Sequence, residues 1–150
     1  MKKLTALITT LLSPLAANAA ETYRGIVLER GGLMYKPTSN VPLTARVERY
    51  YANGQLHQVH PSVNGKLEGL QQWWHKNGQL EFEAAYVNGK QEGLERGWHK
   101  NGQLWSEVTF INGKREGLER WWYDSGQLDA EKCYRAGELT DMAYCEEQTK

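Results

Sequence analysis

The sequence repeats itself at a constant step of 24 residues. The tetrapeptide Asn-Gly-Gln-Leu, with Ser for Asn in the last copy, occurs at 53–56, 77–80, 101–104 and 125–128. An Asn-Gly-Lys series occurs at the same step, at 64–66, 88–90 and 112–114. Ala136-Gly137-Glu138 occupies the fourth place of that series. Each of the three Asn-Gly-Lys copies is followed by Glu-Gly-Leu, at 68–70, 92–94 and 116–118. Such a period indicates one structural unit stacked against copies of itself.

The repeated glycines predict β-hairpins. Asn-Gly favours a two-residue hairpin turn, because both central positions of a type I′ turn need positive φ. Two such turns per unit, 11 and 13 residues apart, leave strands of about seven residues between them. Apolar and mainly acidic side chains alternate along 80–86, which is the period of a strand. The predicted fold is all-β, an elongated single-layer antiparallel sheet of successive β-hairpins.

Strict alternation assigns the side chains to two faces of this sheet. One face is expected to bury an apolar stripe that includes Tyr86, Phe110 and Tyr134 and the pairs Leu70/Trp74, Leu94/Trp98 and Leu118/Trp122. The other face then exposes a row typical of a binding surface, made of Trp73, His75, His99, Trp105, Trp121 and Tyr123. The alternative is that the sheet curls, or that terminal segments cover this row.

The N-terminus has the pattern of a secretory signal peptide. Met1-Lys2-Lys3 is a basic start, residues 4–15 are mostly apolar, and Ala17-Asn18-Ala19 is a small-residue cleavage motif. The apolar run is too short to span a bilayer. We therefore predict a periplasmic or secreted protein that is cleaved near Ala19. The predicted division of the chain is a signal peptide at 1–19, a lead-in at 20–31, a repeat domain at 32–141 and a tail at 142–150.

The charge balance argues against a nucleic-acid partner. Without residues 1–19, which hold Lys2 and Lys3 and no acidic residue, the chain carries 16 basic and 18 acidic residues. Both signs are interspersed, so the sequence contains neither a basic footprint for nucleic acid nor a polybasic segment for anionic lipid. A protein partner is favoured over a membrane surface.

Two cysteines lie near the C-terminus, Cys133 and Cys145. In an oxidising compartment, two cysteines close together in sequence suggest a disulfide that closes the C-terminal segment. Spacing alone does not fix the direction of their Cβ atoms, so two independent thiols remain the alternative. Neither a histidine nor a second cysteine pair lies at ligand spacing nearby, and no metal site is predicted.

The unit Asn-Gly-Lys-x-Glu-Gly-Leu-xxx-Trp-xx-Asn-Gly-Gln-Leu resembles a known family, the MORN repeat variant. This variant is related to the membrane occupation and recognition nexus repeat and occurs in bacterial proteins, many of them antitoxin-like. The resemblance covers about 32–141 and includes an opening half-repeat at 32–35 and 41–47, in which Ala45 replaces the usual Gly. It implies an elongated antiparallel sheet of successive hairpins.

The sequence shows no arrangement typical of an enzyme. His75 and His99 occupy positions that hold Tyr51 and Tyr123 in the flanking units, which favours an aromatic surface position over a metal ligand or general base. Neither a nucleophile triad order nor a phosphate-binding glycine loop occurs. Carboxylates at equal spacing on one face are typical of a solvated surface, and the chain has them at Glu83, Glu107 and Glu131. We predict no catalytic residue and no cofactor.

These features predict a non-enzymatic protein that binds another protein through its sheet face, and the resemblance implies an antitoxin-like or immunity-like inhibitor. The alternative is a module that binds a carbohydrate or lipid surface of the cell envelope, because rows of Trp stack on sugar rings. Whether the chain is a monomer or an edge-paired oligomer stays open. Specificity is expected where the copies differ, at Trp73/Gly97/Trp121 and Glu81/Trp105/Asp129.

Overall fold

The computed structural model describes residues 21–148. The signal peptide predicted for residues 1–19 lies outside these residues, and its cleavage stays a prediction. The strands are β1 (Thr22–Tyr23), β2 (Leu28–Arg30), β3 (Leu33–Tyr35), β4 (Ala45–Tyr50), β5 (Leu56–Val63), β6 (Lys66–Leu67), β7 (Gly69–Trp74), β8 (Leu80–Val87), β9 (Lys90–Trp98), β10 (Leu104–Ile111), β11 (Lys114–Trp122), β12 (Leu128–Arg135) and β13 (Glu138–Thr140). One helix, α1 (Met142–Gln148), follows them.

Eleven strands form one sheet in the order β1-β4-β5-β7-β8-β9-β10-β11-β12-β13, with β6 paired to β5. Consecutive strands from β7 to β13 pair antiparallel, so the predicted sheet of successive hairpins is confirmed. The sheet is mixed in one respect, because β1 pairs parallel to β4. The predicted lead-in and tail also contain regular structure: β1 and β2 lie in the lead-in, and α1 lies in the tail.

The first repeat departs from the others at Ala45. The equivalent Gly69, Gly93 and Gly117 have φ of 95°, 90° and 79°, a region that favours glycine. Ala45 instead lies within β4, fully buried, and pairs directly with Ser62. The backbone irregularity that glycine permits in the later repeats is therefore absent from the first one.

One β-bulge recurs in every repeat and corrects the predicted assignment of faces. Trp73 pairs with Phe82 while Trp74 pairs with Leu80, so Glu81 is an extra residue of β8. An extra residue reverses the side-chain alternation beyond it. Leu80 therefore shares the back face with Trp74, and Phe82 shares the front face with Trp73. The equivalent extra residues of the other repeats are His57, Trp105 and Asp129.

The predicted buried stripe is wrong because strict alternation ignores this bulge. Pairing places Tyr86, Phe110 and Tyr134 on the front face, opposite the repeated Leu and Trp residues. Leu70 on the back face is 41% exposed, and Trp74 is only partly buried. The buried residues of the last three repeats lie mainly on the front face, at Gln71, Ala84, Ser106, Val108 and Glu119.

Both ends of the sheet are covered. The hairpin β2–β3 forms a separate two-stranded sheet. Met34 of β3 and Val27, just before β2, pack against the buried Leu43, Ala45 and Val47. At the other end, α1 places Cys145 against β12. Cys145 forms a disulfide with Cys133, and both residues are buried.

We expect the disulfide to stabilise the C-terminal end. Closing a loop of 12 residues restricts the unfolded chain by about 3 kcal/mol. The double variant Cys133→Ala/Cys145→Ala should lose about that much free energy of unfolding in urea titrations. Wild type treated with dithiothreitol should approach the double variant, which should itself be insensitive to the reductant. An equal response of both proteins would contradict this role.

Candidate functional site

A ladder of ring-to-carbonyl hydrogen bonds ties each repeat to the next. The bonds join Tyr51 Oη to Trp74 O at 2.7 Å, His75 Nε2 to Trp98 O at 2.9 Å and His99 Nε2 to Trp122 O at 2.8 Å. Because a carbonyl oxygen only accepts, Nε2 of each histidine carries the hydrogen. His75 and His99 are therefore partly buried links between repeats, whereas Tyr123 of the last repeat is 53% exposed.

An aromatic strip crosses the front face and consists of Trp73, Phe82, Trp105 and Trp121. Trp73 makes edge-to-face contacts with Phe82, at 5.1 Å between centroids, and with His60, at 5.6 Å. Burial lowers the pKa of His60, which favours the neutral ring that packs here. The residues that separate the large rings along this row are small, Gly97 and Ser106.

Trp105 joins the strip from the bulge position and takes a place left open by Gly97. A Cβ added to Gly97 would clash with Nε1 and Cε2 of Trp105, so the indole lies directly on the glycine backbone. The equivalent strand positions hold Trp73 and Trp121. The third repeat therefore keeps an indole in the row although its strand residue is glycine.

The bulge residues contact the ring positions of the ladder. His57 stacks on Tyr51 at 4.4 Å between centroids, and Glu81 Oε2 lies 3.6 Å from His75 Nδ1. In the last repeat, a hydrogen bond to Asp129 raises the pKa of Tyr123. In three repeats the bulge residue, which differs from copy to copy, thus lies against the ladder ring of its own repeat.

An open groove of about 610 Å³ lies beside Trp105. Its polar lining includes Glu81, Lys100 and Asp124, and the ladder histidines His75 and His99 form part of its wall. A second groove, of about 330 Å³, is lined by His57, Trp73, Glu81, Phe82 and Trp105. Glu81 and Trp105 line both grooves.

Two carboxylates lie on the front face next to the strip. Glu119 is only 6% exposed, and its Oε1 lies 3.5 Å from Arg115 Nε. Burial raises the pKa of Glu95, and the charge of Glu119 adds to this effect, whereas a hydrogen bond from Gln91 opposes it. At neutral pH, the ionised Glu95 is therefore a cost to the folded state.

The back face has a different character. The predicted glutamate column is neutralised by arginines of neighbouring strands: Arg96 Nε lies 2.8 Å from Glu107 Oε2, and Arg120 Nε lies 3.4 Å from Glu131 Oε2. These are exposed or half-exposed pairs that contribute little to stability. The back face thus combines paired charges with the repeated Leu and Trp residues, whereas the front face carries the aromatic strip.

The structure brings part of the predicted binding row together. Trp73, Trp105 and Trp121 lie on the strip, whereas His75 and His99 belong to the ladder beside it and Tyr123 lies at its open end. Sequence reasoning missed Phe82, because the bulge reverses its face. The third repeat contains a sequence signal for the site: it has Gly97 where the neighbouring repeats have Trp, and it has Trp105 where they have Glu81 and Asp129.

Residues 21–148 contain no group of three or more His, Cys, Asp or Glu side chains placed to hold a metal ion. Over the same residues, no helix is long and apolar enough to cross a membrane.

Gly97→Ala tests the packing of Trp105. Gly97 does not need positive φ, so the added methyl acts by displacing the indole. We expect a loss of about 1–3 kcal/mol in the free energy of unfolding and a change in tryptophan fluorescence. In a Trp105→Ala background the same substitution should cost much less, which a double-mutant cycle measures. Equal costs in both backgrounds would contradict the contact.

Glu95→Gln should stabilise the protein at neutral pH. The pKa of Glu95 is raised above its usual 4.5 in the folded state, so ionisation destabilises the fold above that raised pKa. The thermal midpoint of the variant should exceed that of wild type at pH 7. The difference should shrink as the pH falls through the folded pKa towards 4.5. Glu138→Gln, at an exposed position, is the matched control and should leave the midpoint unchanged.

The repeats match a known family model. The MORN repeat variant matches four times, at residues 43–64, 67–88, 91–112 and 115–136. Comparison with curated proteins and with solved structures gives no match. MORN repeats are non-catalytic modules that generally bind proteins or membranes. The four matches span more than half of the 150 residues and coincide with the stacked hairpins. The chain therefore belongs to the MORN repeat variant family.

Proposed function

We propose that this chain is an exported protein that binds another protein through the aromatic strip on the front face of its sheet. The observation that carries the proposal is the strip itself, in which Trp73, Phe82, Trp105 and Trp121 lie in one row next to two open grooves. Trp residues that combine apolar area with a polar N–H are typical energetic centres of protein interfaces. The back face also carries Trp74, Trp98 and Trp122, but each of them pairs directly with a leucine of the next strand.

Export is supported by two independent features. The first 19 residues have the order of a secretory signal peptide. The Cys133–Cys145 disulfide is a bond that persists in oxidising compartments. We therefore propose a periplasmic or secreted location.

The proposed action is inhibition by occlusion, in the manner of an antitoxin or immunity protein. A rigid sheet that covers a partner's surface needs no catalytic group, and MORN repeats are non-catalytic. Because the protein is proposed to be exported, its target would lie in the envelope or outside the cell.

Affinity capture from the native cell envelope tests the proposal. Wild type should retain a specific protein, and the double variant Trp73→Ala/Trp121→Ala should lose it, because truncating interface tryptophans typically costs about 2 kcal/mol or more each. The back-face variant Arg120→Ala/Glu131→Ala is the control and should capture the protein as wild type does. Circular dichroism and thermal midpoints establish that the variants are folded.

Two results would overturn the proposal. One is capture that does not depend on the strip. The other is the absence of any captured protein together with co-sedimentation of the chain with peptidoglycan or liposomes, which would instead favour the alternative of a carbohydrate- or lipid-surface module.

A further inference from the structure

Trp105 is the most exposed tryptophan of the chain. All six tryptophans lie within the described residues, and five are partly buried while Trp105 is 37% exposed. One side of its indole is packed on Gly97. Its exposed area faces the two grooves that Trp105 lines, of which the groove of about 610 Å³ is the more open, so a ligand can reach the ring.

The molecule covers many of its other aromatic rings with its own cations. Seven rings carry a lysine or arginine at 4.4 to 5.9 Å from the ring centroid, among them Tyr51 beneath Lys76 and Trp121 beneath Lys132. Among residues 21–148, no lysine or arginine is found over Trp105. Trp105 is thus an exposed tryptophan whose ring is not covered by a cation of the protein.

The larger groove beside Trp105, of about 610 Å³, also contains two carboxylates that do not occur together at the equivalent positions of the other repeats. Glu81 and Asp124 line it together with Trp105, and the Glu81 side chain is 44% exposed. One repeat earlier, the positions equivalent to Glu81, Asp124 and Trp105 hold His57, Lys100 and Glu81 in that order. Only at the third repeat do an open indole and two carboxylates meet, and all three residues occupy positions at which the copies differ.

We propose that this groove binds an arginine side chain of the protein partner, an inference that rests on the proposed function. The guanidinium stacks on the open face of the Trp105 indole, while Glu81 and Asp124 accept its hydrogen bonds. Arginine fits better than lysine, because its planar guanidinium both stacks on a ring and offers several donors to carboxylates. Lys100 also lines the groove, but its single positive charge leaves a net negative groove.

A titration with short peptides tests the inference without the partner. The probes are acetyl-Gly-Arg-Gly-amide and its citrulline analogue, which keeps the shape and removes the charge. The readout is the Trp105 indole N–H signal in ¹H–¹⁵N spectra of the labelled protein, assigned with Trp105→Phe. The arginine peptide should shift this signal saturably and the citrulline peptide should bind at least about tenfold more weakly, because hydrogen bonds between charged groups are the strong ones.

The matched variants locate the effect. Glu81→Gln/Asp124→Asn should weaken arginine binding by at least about tenfold, whereas Glu29→Gln/Glu138→Gln, which removes two exposed carboxylates elsewhere, should not. Equal shifts with both peptides, or binding that survives Glu81→Gln/Asp124→Asn, would overturn the inference.

The outcome is separable from that of the proposed function. If the arginine peptide does not bind but strip-dependent capture of a protein persists, the proposed function stands and this contact is wrong. If the peptide binds as expected but no protein is captured, the groove is an arginine site whose partner is not a protein of that envelope fraction.

Discussion

Every repeat depends on hydrogen bonds from its turns to the preceding repeat. The backbone N–H of Gly89, Gly113 and Gly137 donates to a carbonyl 22 residues earlier, at 2.8 to 2.9 Å. The residue before each of these glycines donates its N–H to a glutamate carboxylate of the preceding unit at 2.7 Å, from Glu68, Glu92 and Glu116. Because each turn is hydrogen-bonded to the preceding unit, an insertion or deletion in one turn alone would break these bonds. The period is therefore fixed by contacts between units, and the Glu-Gly-Leu motif is one of them.

The ring ladder adds a second link on the other edge of the stack. There the requirement is a donor that reaches the next unit's carbonyl, and both Tyr Oη and His Nε2 meet it. This explains why tyrosine and histidine exchange at this position, an exchange that sequence reasoning attributed to an exposed aromatic surface. Asn77 and Asn101 make equivalent bonds to carbonyls 23 residues later. The repeated residues thus make the hydrogen bonds between units, whereas the residues that differ among the copies are available for other contacts.

The repeated residues allowed most of the fold to be predicted from the sequence, whereas the site could be predicted only in part. The period, the turns and the order of hairpins were predictable, because they depend on Gly and Asn at fixed spacing. The faces were not, since the bulged position has no characteristic residue type: it holds His57, Glu81, Trp105 and Asp129 in the four repeats. Strict alternation then placed Leu80 and Phe82 together, although pairing separates them. The site was predictable only in part, because it combines strand residues such as Trp73 with a bulge residue, Trp105.

The bulge explains why variation concentrates beside the strip. A bulged residue has no direct cross-strand partner, so its side chain can change without disturbing the pairing of the strands. A strand residue has neighbours on both sides, and a change there needs compensation. The third repeat shows both cases at once: Gly97 removes a large ring from the strand, and Trp105 at the bulge covers the space with another. A stack of nearly identical units can therefore present a different side chain at each bulge while its hydrogen-bonded frame stays the same, and the groove at Trp105 is built from such positions.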